Sequence, residues 1–336
     1  MNAPSEKPAA ERRVIGIDLG GTKLAAGVVS GDLVVHHRAH RFSRGASQQE
    51  VLDRLVEVVD ELVATNEGEP PIEAVGMGIP SLIDQRTGRA VMSVNLPIAD
   101  VPIRDLMSER LGLPVAIDND GNVAALAEQR FGAAKGKQHV VLLTLGTGVG
   151  GGIVIDGKVF RGAIGSGAEL GHITVLADGP PCQGFCPNRG CLETMSSGTA
   201  IARYANEYAE ANPESALAGE LKAGREVTGA VVTDMAHSGD AGSIEVLAKA
   251  GHYLGAGLVG LSNTFNPEAF VIGGGAAAAG DLILDPARKH LLEFGLSPNK
   301  EMAPVLPAHF GAEAGMLGAA ALAFVEALGD PLEAHL

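Results

Sequence analysis

Tryptophan is absent from this 336-residue chain, cysteine occurs only three times, and no uncharged apolar run is long enough to cross a bilayer. Each shortage excludes something. Three cysteines, an odd number, make a poor disulfide framework for a chain of this length. The nearest candidate for a membrane span, residues 140–155, is broken by glycines. The residues before Val14 contain no apolar stretch of the kind a secretory signal carries. Basic residues are also short, 25 against 40 acidic ones, for a formal net charge of −15. That balance argues against non-specific nucleic-acid binding and against an anionic membrane surface. It leaves anionic ligands open, because backbone N–H groups can hold phosphate inside an acidic protein. The expectation is a soluble cytoplasmic protein with neither a nucleic-acid nor a membrane partner.

What is plentiful is glycine, 46 residues, and apolar side chains, 46% of the chain with 19% charged. The second pair of figures is ordinary for a globular core, and the first implies many tight turns or close backbone approaches. The length suggests two domains at roughly 150 residues each.

Taken in order, residues 1–13 read as a disordered tail. Residues 14–29 read as strand, glycine turn, strand, with another strand near 33–40. Ser47 and Glu50 form a capping box ahead of Leu52, Leu55, Val56, Val59, Leu62 and Val63, one face of an amphipathic helix. Residues 73–79 and 114–120 read as buried strands, the second running into a helix behind Asp120. Residues 140–155 repeat 14–29 at an offset of 126, aligning Asp18 with Thr144 and Gly20 with Gly146. The chain then turns helical over about 194–211 and 239–265, returns to a strand within 266–277, and closes in an Ala/Leu-rich helix over about 312–328. Strands alternating with helices predict an α/β fold with largely parallel sheets, and the repeat predicts two similar domains.

Three glycine turns follow apolar strands: Gly20-Gly21-Thr22-Lys23, Gly146-Thr147-Gly148 with Gly150-Gly151-Gly152, and Gly273-Gly274-Gly275. Without Cβ atoms, backbone N–H groups there can approach phosphate oxygens. None is a Walker loop, and 146–151 fits GxGxxG only in front of a strand, which is not the dinucleotide-binding context. Asp18 is either a turn-forming aspartate or a Mg²⁺ ligand near a nucleotide's phosphates. Asn119-Asp120 is either a helix cap or a pair carrying a general base for a hydroxyl nucleophile. His172, Cys182, Cys186 and Cys191 supply four ligands in the pattern His-x9-Cys-x3-Cys-x4-Cys. They suit a closed structural Zn²⁺ site with no open position for water; buried thiols around a core histidine are the plainer alternative. Glu169 and Glu193 flank that set as acceptors for sugar hydroxyls.

AspLeuGlyGlyThrLys, AsnLeuPro (95–97), AsnAsp (119–120), LeuGlyThrGlyValGlyGlyGly, GluLeuGlyHis and GlyCysLeuGlu occur in that order, a succession that resembles the ROK family of sugar kinases and repressors over about 14–327. The part around 256–275 looks most like the family's bacterial glucokinase branch. The resemblance implies the actin-like, ribonuclease-H-like two-domain sugar kinase fold with a zinc-stabilised loop. A small domain would comprise 14–120 with about 312–336, and a large one 121–311, holding the zinc loop 172–191. It implies ATP, Mg²⁺ and structural Zn²⁺ as cofactors, a sugar substrate, phosphoryl transfer to the 6-hydroxyl of glucose, and a homodimer or higher homo-oligomer. Other sugars of the family (mannose, N-acetylglucosamine, N-acetylmannosamine, fructose) and a non-catalytic sugar sensor are the alternatives.

Position by position, Asp120 matches the family's general base. Asn95, Asn119, Glu169, His172 and Glu193 match its sugar ligands, with His172 also on zinc. Gly20, Gly21, Thr22, Lys23, Gly146, Thr147, Gly148, Gly150 and Gly151 match its phosphate loops, Gly273 and Gly274 its adenosine-side turn, and Asp18 the residue near Mg²⁺. Two departures stand out. The family writes Cys-x-Cys-x4-Cys, so this loop carries two extra residues between Cys182 and Cys186, and its tip must bulge. Ser81 replaces the glycine of IleProGly. Thirteen residues precede Val14, fewer than the helix-turn-helix domain of the family's repressors, so no DNA-binding function is expected.

Overall fold

The computed structural model describes residues 8–42, 46–93, 96–184 and 186–329. The elements run β1 (Arg13–Leu19), β2 (Lys23–Ser30), β3 (Val35–Phe42), α1 (Gln48–Thr65), β4 (Ile72–Ile79), β5 (Ser81–Asp84), β6 (Arg89–Ser93), β7 (Ala99–Val101), α2 (Ile103–Leu111), β8 (Val115–Asn119) and α3 (Asp120–Arg130). Next come β9 (Val140–Leu145), β10 (Val149–Ile155), β11 (Lys158–Val159), α4 (Leu192–Ser196), α5 (Gly198–Ala211), α6 (Ala216–Lys222), α7 (Gly229–His237) and α8 (Ala241–Phe265). The chain ends with β12 (Ala269–Gly273), α9 (Asp281–Phe294), α10 (Asn299–Met302), β13 (Val305–Pro307) and α11 (Ala314–Leu322). Of the expected tail 1–13, residues 1–7 lie outside the described residues, Ala9–Glu11 make a 3-10 turn, and Arg13 already belongs to β1.

Two compact units result, one of residues 1–131, 159–167 and 312–336, the other of 132–158 and 168–311. The division read from the resemblance differs in two places: 121–131 and 159–167 belong to the first unit. The physical reasons are local. Gly318 of α11 faces the backbone of α3, where a Cβ would lie 1.8 Å from Val123 O, and Arg161 pairs with Asp118 on β8.

The first sheet has the order β3-β2-β1-β4-β8 and the second β11-β10-β9-β12-β13, so the repeat seen in the sequence recurs in topology. Each sheet is mixed, against the expectation of largely parallel pairing. β1 and β4 are parallel, as are β4 and β8, but β1 pairs antiparallel with β2. Only three residues join β1 to β2, and so short a connection permits only a hairpin. A third, three-stranded sheet, β5-β6-β7, follows Pro80.

The core of the first unit is the β1-β4 face with Ile15, Ile17, Met77 and Ile79 fully buried beneath α1 and its neighbours. Each such side chain contributes roughly 1.5–3 kcal/mol by leaving water. The capping box of α1 is present in both directions, Ser47 Oγ accepting from Glu50 N and Glu50 Oε2 from Ser47 N. On the other face α11 lies almost in backbone contact with the sheet: a Cβ on Gly76 would meet Ala319 O at 1.8 Å, and one on Gly16 would meet Met316 O at 2.1 Å. The glycines in the strands and the alanines of the last helix thus serve one purpose, close packing. Among the described residues no helix is long and apolar enough to cross a membrane.

Candidate functional site

In the first unit, β1 delivers Asp18 to the mouth of a turn closed by Gly20 N donating to Lys23 O at 2.9 Å. Thr22 and Lys23 are exposed there. The Asp18 carboxylate accepts no hydrogen bond among the described residues. Its carboxylate sits over Gly315, where a Cβ would come within 2.5 Å of Cγ. Burial first, and the Asp120 charge second, raise its pKa from 3.8 to about 6, while Lys23 opposes the rise. Two acids beside each other without a cationic pairing partner form a hard-oxygen set of the kind Mg²⁺ uses.

At 119–120 the two side chains share the start of α3. Asn119 caps α3, its Oδ1 accepting from Gly121 N at 2.9 Å, and its Nδ2 donates to Ser81 O at 3.3 Å. Asp120 places Oδ1 on the same Gly121 N at 2.9 Å, and Oδ2 has no partner among the described residues. Burial of its surroundings raises its pKa above the ordinary aspartate value, and the Gly121 N–H works against that rise. Ser81, where the family has glycine, is accommodated by its Oγ donating to Met92 O at 2.8 Å across β5 and β6.

Behind this pair stands a group that the motifs did not announce. Asp118 is fully buried. Its Oδ1 accepts from Asn119 N at 2.7 Å and Asn122 Nδ2 at 2.9 Å, and its Oδ2 from Arg161 at 2.7 Å. Arg161 also pairs with Glu326 in the π-helical turn after α11. The one sequence signal was an aspartate at an apolar strand's last buried position, which needs a partner somewhere.

In the second unit, His172, Cys182, Cys186 and Cys191 come together with their ligand atoms all within 4.8 Å of one another. His172 Nδ1 faces Cys182 Sγ at 3.4 Å, and Cys186 Sγ lies 4.0 Å from Cys191 Sγ. Burial, then hydrogen bonding from the Cys191 and Cys186 thiols, push the Cys182 thiol up to about 12. Thiols this crowded ionise only against a cation, and one imidazole with three thiolates is a closed tetrahedral set for zinc. The expected bulge is a turn at Gln183-Gly184, Gly184 having a φ of 59°. Cys182 N donates to Asn188 O at 2.9 Å and holds the loop's base together; Phe185 lies outside the described residues.

Glu169 opens the 3-10 turn that carries His172 and is exposed. Glu193, on α4 two residues past Cys191, turns toward the second glycine loop, Oε2 accepting from Val149 N at 3.0 Å. Gly146 N donates to Gly148 O at 2.9 Å, closing this loop as Gly20 closes the first. Gly274 takes a φ of 86° and passes so close to β9 that a Cβ would sit 2.6 Å from the Leu145 backbone. Gly273 pairs with Thr144 and Gly274 lies against Leu145, the last residues of β9 before the glycine loop, while Gly150 and Gly151 follow on β10. Asn95 lies outside the described residues.

Known proteins resemble this chain over most of its length. A model of the ROK family matches residues 14–326. A glucokinase of Streptomyces coelicolor is 36% identical over 315 residues, 92% of this chain and 96% of that protein. The crystal structure of a ROK family glucokinase from Streptomyces griseus in complex with glucose and AMPPNP has a TM-score of 0.78 at 37% identity, covering 92% of this chain and 98% of that one. A ROK family transcriptional regulator, a homolog of the E. coli MLC protein, has a TM-score of 0.86 at 28% identity, covering 96% of this chain and 80% of that one.

Proposed function

The chain belongs to the ROK family and has its two-domain sugar kinase fold, and we propose on that footing that it is a cytoplasmic glucokinase, transferring the γ-phosphoryl group of ATP to the 6-hydroxyl of D-glucose. The observation that carries the reading is Asp120. Asn119 does the capping, so Asp120 keeps one carboxylate oxygen unengaged at a helix start. A raised pKa suits a group that must accept a proton as the hydroxyl attacks.

The other roles are those the family resemblance implies. Asn119, Glu169, His172 and Glu193, with Asn95, hold the pyranose hydroxyls. His172 presents Nδ1 to the cysteines; metal there leaves the proton on Nε2, which fixes that nitrogen as a donor toward a sugar oxygen. The glycine turns at 20–23 and 146–151 cradle phosphates with backbone N–H groups, and Gly273-Gly274 borders the adenosine. Asp18 would hold Mg²⁺, which when bound supplies charge neutralisation for the phosphates. The zinc set supplies scaffold, with no position open for water. A homodimer is the assembly we expect.

A coupled assay with ATP and Mg²⁺ over glucose, mannose, N-acetylglucosamine, N-acetylmannosamine and fructose tests this. Glucose is expected to give the highest kcat/KM. Faster turnover of another sugar would reassign the substrate. Sugar binding without turnover would favour the second reading, a sugar-responsive regulator, which the regulator among the structural relatives supports.

A further inference from the structure

The phosphate-side turn of the second unit is held in place by the sugar-side residues themselves. Three consecutive peptide planes carry the argument. Gly146 O accepts from Gly198 N at 2.8 Å, and that carbonyl shares a rigid plane with Thr147 N. Thr147 O accepts from Thr199 Oγ1 at 2.8 Å and shares its plane with Gly148 N. Gly148 O accepts from Gly146 N at 2.9 Å, and the N–H of that third plane, on Val149, donates to Glu193 Oε2 at 3.0 Å. Thr147 N and Gly148 N donate to nothing else among the described residues. They are the two amides free for phosphate oxygens, and the start of α5 aims them by gripping the opposite ends of their planes.

The sugar-side segments press on the same turn. Glu193 Oε2 would lie 2.2 Å from a Cβ on Gly148. Leu170, beside Glu169, covers Gly151, and Gly171, beside His172, packs on Val149 O. Glu193 Oε1 has no hydrogen-bond partner among the described residues, so the carboxylate is anchored at one oxygen and open at the other.

We propose that Glu193 and Thr199 couple the two substrates: a sugar hydroxyl on Glu193 Oε1 fixes the turn for nucleotide phosphates, and phosphates on the turn fix Glu193 for sugar, Thr199 acting as a positioning residue that touches neither. This rests on the sugar-kinase reading above. Whichever ligand binds first bears the ordering of the turn, and the second bears less. Linkage requires the same factor in both directions.

Calorimetric titrations of D-glucose and of AMPPNP with Mg²⁺, each with and without the other, test it. In the wild type each ligand is expected to tighten the other by one common factor, within the usual range of about 5–150-fold. Thr199→Val, the same shape without the hydroxyl, should bring that factor close to 1 and raise the KM for ATP about fivefold, on the scale of ~1 kcal/mol for one lost hydrogen bond, with glucose affinity in the absence of nucleotide unchanged. Thr199→Ser should restore both. Glu193→Gln should weaken AMPPNP binding even without sugar, which a carboxylate serving sugar alone would not do. A wild-type factor of 1 with both ligands bound, or a full factor retained in Thr199→Val, overturns the coupling and leaves the kinase reading intact. Failure of every sugar in the panel to bind overturns that reading, and the coupling with it.

Discussion

Replacing Asp18 by asparagine should make the folded protein more stable at neutral pH while disabling it. The side chain keeps its shape over Gly315, so the change is one of charge. Asp18 ionises near pH 3.8 in an unfolded chain and near pH 6 in the folded one, raised first by burial and then by Asp120. A raised folded pKa means that the protonated form stabilises the fold fully below the unfolded value, and that this contribution is lost as pH rises through about 6. About two pH units correspond to roughly 3 kcal/mol, an upper figure because water reaches the half-buried carboxylate; about 1–3 kcal/mol is expected. At roughly 2–4 °C per kcal/mol, the melting temperature of Asp18→Asn should exceed that of the wild type by several degrees at pH 7.5. The difference should shrink through pH 6 and vanish near pH 4. Thermal unfolding across that range in EDTA, without nucleotide, reads it directly. A variant no more stable than wild type at pH 7.5, or one with a pH-independent gain, would refute the electrostatic account. The same variant should lose most of its kcat, stability traded against function.

Other substitutions probe the remaining parts. Arg161→Met leaves the buried Asp118 carboxylate without its partner on Oδ2 and should destabilise the protein by about 3–5 kcal/mol, measured by urea unfolding; adding Asp118→Asn to the same chain should recover part of that loss. Cys186→Ser should lower bound zinc in elemental analysis, speed hydrogen exchange across residues 172–191, and raise the KM for sugar with kcat changed much less. Ser47→Ala removes half of the capping box and should lower stability by about 1 kcal/mol, read as a small drop in melting temperature with unchanged kinetics.

The sequence was most legible where chemistry and periodicity coincide. The strand-turn-strand units ending in Gly20 and Gly146 were visible because an apolar run meets glycines twice at one spacing, and the sheets repeat accordingly. The metal set was visible because cysteine is rare here. The short sheet β5-β6-β7 was not, since strands of 3–5 residues carry too little alternation to register. Sheet direction was misjudged for a related reason: helices alternating with strands suggest crossovers, and the tight β1–β2 and β9–β10 turns overrule them locally. Arg161 was invisible because its partners, Asp118 and Glu326, stand 43 and 165 residues away in the chain. Thr199 was invisible because its role is a single bond to a carbonyl, which leaves no pattern.

The central claim is that Asp120 takes the proton of the attacking hydroxyl. Asp120→Asn keeps the side chain's size and its acceptor for Gly121 N but cannot accept a proton. Measured with ATP, Mg²⁺ and saturating glucose, its kcat should fall by about 10²–10⁴-fold, with the glucose Kd from calorimetry within a fewfold of wild type. A kcat close to wild type, with glucose still bound, would contradict the assignment.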